Sequence, residues 1–91
     1  MKKFVVEDEV HAELIHEGFA SFQEALDFIK DLSKTPWDEK PNKAPCSSWK
    51  TCGRNYHIIE YDATSIPYEE LDTNEILSIS AKGVEWQLSI E

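Results

Sequence analysis

One helical period runs through this chain, and it occurs once. Phe22, Ala25, Leu26, Ile29 and Leu32 recur at the three- and four-residue spacing of a helix face. Gln23, Glu24, Asp27, Lys30 and Asp31 fall mostly on the other side. Ser21, with Glu24 three residues on, forms a capping box that starts the helix at Phe22. Pro36 stops it, and Lys34 suits the negative end of the helix dipole. A lone amphipathic helix cannot hide its own apolar stripe, so the rest of the chain must supply a covering surface.

That surface reads as a sheet. Residues 3–8 and 10–17 are rich in β-branched and apolar side chains and predict a hairpin turning near Asp8-Glu9, after which Gly18 breaks the strand. Residues 54–62 alternate, with Tyr56, Ile58 and Glu60 to one face and His57, Ile59 and Tyr61 to the other. Residues 75–81 and 84–90 predict two strands joined at Lys82-Gly83, where glycine supplies the positive φ of a tight turn. In the last of these, Val84, Trp86, Leu88 and Ile90 alternate with Glu85, Gln87 and Ser89, the pattern of one buried and one wet face. The run Pro67-Tyr68-Glu69-Glu70-Leu71 predicts one helical turn with proline at its first position. The expectation is a single α+β domain over residues 1–91, in the order ββαβββ. A five-stranded antiparallel or mixed sheet carries the helix on one face, and a long ordered loop joins the helix to the third strand.

The loop is the unusual part. Residues 34–54 hold three of the four prolines, both cysteines and two of the three tryptophans. A connection this long is functional or disordered, and tryptophans are poor in disordered chain. The expectation is therefore an ordered loop pinned by Trp37 and Trp49, each worth about 2–3 kcal/mol if buried. Its charge also opposes that of the rest. It carries five bases and two acids, against four bases and sixteen acids elsewhere, within a net charge of −9. The run PWDxxPNxAPCxxWxxCGRxY from Pro36 to Tyr56, with Phe19-Ala-Ser-Phe-x-Glu-Ala25 before it, resembles a set of small uncharacterised bacterial proteins. The likeness covers about residues 14–62. It implies a bacterial source and a loop that matters, and it implies no particular activity.

Net acidity opposes binding to nucleic acid or anionic lipid. No stretch has the length of a secretory signal's apolar region or a membrane span. The cytoplasm is the expected compartment, with both cysteines as thiols. No glycine-rich phosphate cradle is present, and Glu7-Asp8-Glu9 and Glu69-Glu70 read as solvated charge. With no catalytic constellation visible, the first reading is a non-catalytic binding module, monomeric or homodimeric. Its loop would offer Trp37, Lys43, Trp49, Lys50, Arg54 and Tyr56 to a protein or a small anionic ligand. That reading needs no cofactor.

The second reading is a zinc or thiol site centred on Cys46, Cys52 and His57, with Asp38, His11 or His16 as a fourth ligand. The six-residue step between the cysteines departs from the two-to-four-residue pairing of zinc knuckles and ribbons. As a nucleophile, Cys52 would be activated by Arg54 beside it, with His57 as base. A C-x-x-C motif and an oxyanion loop are both lacking.

Overall fold

The computed structural model describes residues 1–87. Its elements are β1 (Lys2–Asp8), β2 (Glu13–Phe19), α1 (Phe22–Leu32), β3 (Arg54–Asp62), β4 (Glu69–Ser80) and β5 (Gly83–Trp86). The strands form one sheet in the order β2-β1-β3-β4-β5, and every neighbouring pair is antiparallel. The α+β class, the ββαβββ order and the helix on one sheet face are as the sequence predicts. Among the described residues, no helix is long and apolar enough to cross a membrane.

The helix begins where its cap dictates. Ser21 Oγ accepts from the Glu24 backbone N–H at 3.2 Å, and the Glu24 carboxylate accepts from the Ala20 N–H at 3.1 Å. Ala25, Leu26, Ile29 and Leu32 are buried against Phe4, Val6, Tyr56, Ile58, Ile76, Leu77 and Ile79 of the sheet. Burying side chains of this kind contributes about 1.5–3 kcal/mol each, which makes this layer the main source of stability.

Two boundaries and one buried face differ from expectation. The first hairpin turns through residues 9–12, so β2 starts at Glu13 and not at 10; Ala12 takes φ +50° there. Glu69, Glu70 and Leu71, expected in a helical turn from Pro67, instead begin β4, because the chain pairs with β3 from Asp62↔Glu69 to Ile58↔Asn74. Val84 and Trp86 are 45% and 40% exposed, so β5 lacks the buried face its alternation suggested. Leu88 and Ile90 lie outside the described residues. Gly83 does take the positive φ of the turn, at +117°.

A bulge in β4 shapes both sheet faces. Tyr56 pairs with Leu77, but the next residue, His57, pairs with Glu75, leaving Ile76 as the extra residue. Ile76 and Leu77 are consequently both buried, and Glu75 stands opposite His57 on the face away from the helix.

Candidate metal centre

The alternation of β1 gives Asp8 the same inward direction as Phe4 and Val6. Its side chain is fully buried. A buried carboxylate must be surrounded by donors, and this one has four. Oδ1 accepts from the backbone N–H of Val10 at 3.1 Å and of Asn55 at 3.0 Å. Oδ2 accepts from Arg54 Nη1 at 3.1 Å and lies 2.6 Å from His11 Nδ1.

Arg54, at the start of β3, has its own donors committed. Nη1 also reaches Glu13 Oε2 at 3.1 Å, Nε donates to Asn42 O at 3.1 Å, and Nη2 donates to Lys43 O at 2.9 Å. The guanidinium thereby holds the loop against the hairpin. Asn42 holds it against the helix: Nδ2 donates at 2.8 Å to both Leu32 O and Thr35 O, carbonyls at or just past the helix end. Its Oδ1 accepts from the Tyr56 hydroxyl at 2.7 Å. Burial pushes the Tyr56 phenol well above its ordinary pKa, so it remains a donor.

This framework aims a histidine at two thiols. A carboxylate can only accept, so the neutral His11 ring gives Nδ1–H to Asp8 and keeps its lone pair on Nε2. Nε2 lies 3.1 Å from Cys52 Sγ. His11 Nε2, Cys46 Sγ and Cys52 Sγ all lie within 4.8 Å of one another. The hydrogen bond to Asp8 raises the His11 pKa, against the opposing effect of burial. Cys46 is lowered to about 7 by side-chain hydrogen bonding with Ser48, with Cys52 and, once the ring takes a second proton, with His11. Cys52 is raised by its hydrogen bond to Cys46 and by burial. Both cysteines are free and half-buried.

The sequence-predicted residues divide accordingly. Cys46 and Cys52 come together, but their histidine is His11, while His57 is grouped with Glu9 and Glu75. The reason is parity, since Arg54 and Tyr56 point toward the helix layer and His57 must point away. His16 stacks on Phe19 at 3.9 Å between ring centroids. Of the six residues expected at a binding surface, Arg54 and Tyr56 are buried and internally bonded. The others form a loop cluster: Trp37 and Trp49 lie 5.7 Å apart, with Lys43 Nζ 4.3 Å and Lys50 Nζ 5.8 Å from the Trp49 ring. Beside them, a groove of about 490 Å³ runs between Glu13, Leu14 and Ile15 on one side and Lys40, Lys43 and Pro45 on the other.

Compared with models of protein families, with curated proteins and with solved structures, the chain matches none.

Proposed function

We propose that this chain is a small non-catalytic metal-binding module, with loop 34–54 as its binding element. One soft divalent cation of the zinc class would be held by His11 Nε2, Cys46 Sγ and Cys52 Sγ. The observation that carries this reading is the convergence of one oriented imidazole on two thiols. A nucleophilic thiol needs one cysteine and a base, which leaves the second thiol without a part. A redox pair needs two cysteines and no histidine. A cation uses all three groups, and it gives the buried Asp8 the part that carboxylates commonly take behind a metal-bound histidine.

The distances suit such an ion. Zinc bonds of about 2.3 Å to sulfur and 2.0 Å to nitrogen put tetrahedral neighbours about 3.5 Å apart. The His11–Cys52 separation of 3.1 Å would open by about 0.4 Å to admit it. Three protein ligands leave a fourth position for a small anion or a partner's side chain, and Lys43 and Lys50 in the same loop favour an anion. A reducing compartment such as the cytoplasm keeps both thiols available.

Cobalt titration of the metal-free protein tests this. The expected result is a thiolate-to-cobalt charge-transfer band that saturates at one equivalent and is displaced by zinc. Cys46→Ser and Cys52→Ser should each abolish it, and His57→Gln should leave it intact. Absence of the band in the folded, fully reduced wild-type protein refutes the reading.

A further inference from the structure

On the sheet face opposite the helix, His57 is buried. Its side chain is 9% exposed, and Nε2 is shut off from solvent without a hydrogen-bond partner. Glu9 Oε2 lies 2.6 Å from Nε2 but off the line of a hydrogen bond, and Glu75 Oε1 lies 3.8 Å away. A buried ring nitrogen with no hydrogen bond loses its water without replacing it. Here that nitrogen faces two carboxylates that are 58% and 56% exposed, and so open to an incoming ion.

The backbone builds this juxtaposition deliberately. With Tyr56 opposite Leu77, a regular ladder would set Ile76 against His57. The bulge moves Ile76 into the core and sets Glu75 there instead. Bulges of this kind re-aim side chains beside functional sites. Glu9, just past the end of β1, is fixed next to β3 by its backbone N–H, which donates to Asn55 O at 2.9 Å.

We infer that Glu9, His57 and Glu75 form a second cation site, separate from the cysteine site and independent of the reading given for it. One imidazole nitrogen and two carboxylates suit a harder first-row divalent ion than two thiolates do, with manganese as the representative. Bonds of about 2.1 Å place tetrahedral neighbours about 3.4 Å apart and octahedral ones about 3.0 Å apart. The observed 2.6 and 3.8 Å bracket both values. An ion at this point would satisfy Nε2 and draw the two acids together on an already acidic surface.

Manganese separates the two sites, because thiolates bind it poorly. Electron paramagnetic resonance of free Mn²⁺, titrated with the wild-type protein, should show one saturable equivalent bound. Loss of an outer-shell partner alone costs metal sites about 10–100-fold, so His57→Gln or Glu75→Gln should weaken binding at least tenfold. Glu75 is exposed, so its variant reads the site without risk to the core. Cys52→Ser and Glu70→Gln should bind as wild type does. No saturable binding overturns the inference. So does a Glu70→Gln loss equal to that of Glu75→Gln, which would mark general attraction to an acidic surface.

Discussion

Replacing Asp8 by asparagine tests whether one buried carboxylate organises the loop and the cysteine site together. The change keeps shape but removes charge, and it turns an amide N–H₂ toward atoms that are themselves donors. Arg54 would remain 95% buried with Glu13 as its remaining acidic partner, and the Glu13 side chain is 42% exposed. Breaking a buried pair from one side costs about 3–5 kcal/mol. The surviving Glu13 contact argues for the low end, about 3 kcal/mol. A 91-residue chain has a total stability of about 5–14 kcal/mol, so the loss is a large share of it. With a urea slope of about 1–3 kcal/mol per molar, the unfolding midpoint should fall by about 1–3 M. Tryptophan fluorescence can follow the transition, and the melting temperature should drop by at least about 12 °C. Glu13→Gln is the control, expected to cost under about 1 kcal/mol because its carboxylate is partly in water. Adding Arg54→Met to Asp8→Asn removes the stranded charge together with the hydrogen bonds to Asn42 O and Lys43 O, so the pair should cost less than the sum of the two single changes. The reasoning is refuted if the Asp8→Asn midpoint matches that of Glu13→Gln.

Two further outcomes follow from the same framework. Asn42→Ala leaves the Tyr56 hydroxyl and the Thr35 carbonyl without partners and takes one of two donors from Leu32 O, so it should destabilise by at least about 2 kcal/mol. Limited proteolysis should then cut within residues 34–54 before the sheet yields. In metal-free protein, a thiol-directed alkylating reagent should modify Cys46 with an inflection near pH 7, because the thiolate is the reactive form and its pKa is lowered to about 7. Cys52, whose pKa is raised, should react only at more alkaline pH, and Cys46→Ser should abolish the neutral-pH phase.

Much of the scaffold was legible because its signals are local. The Ser21–Glu24 box set the helix start, and Gly83 set the final turn. Residues 69–71 read as helical because Pro67 and the Glu69-Glu70 pair suit a helical turn locally. The open edge of β3 across residues 58–62 offers those residues a ladder, and pairing outweighs that preference. The strand order had no local signal at all.

The site was half legible. The cysteines and the importance of the loop stood out, whereas Asp8 looked like one of three solvated acids. Alternation alone could have found it, because a carboxylate in register with Phe4 and Val6 points inward and needs a partner of opposite charge. That partner, Arg54, was read as a free surface cation. The same parity separates His57 from Tyr56 and so from the cysteine side of the sheet. Selecting His11 required the turn, which brings a residue 41 positions from Cys52 into contact with it.

The turn after β1 supplies both faces of the molecule. Asp8 and His11 belong to the cysteine side, while Glu9, between them, belongs to the His57 side. The peptide units that set His11 in place therefore also set Glu9. Lengthening this turn by one residue would leave β1 and β3 paired yet disturb both clusters at once. The four residues from Asp8 to His11 thus carry parts of two different surfaces on one short stretch of backbone.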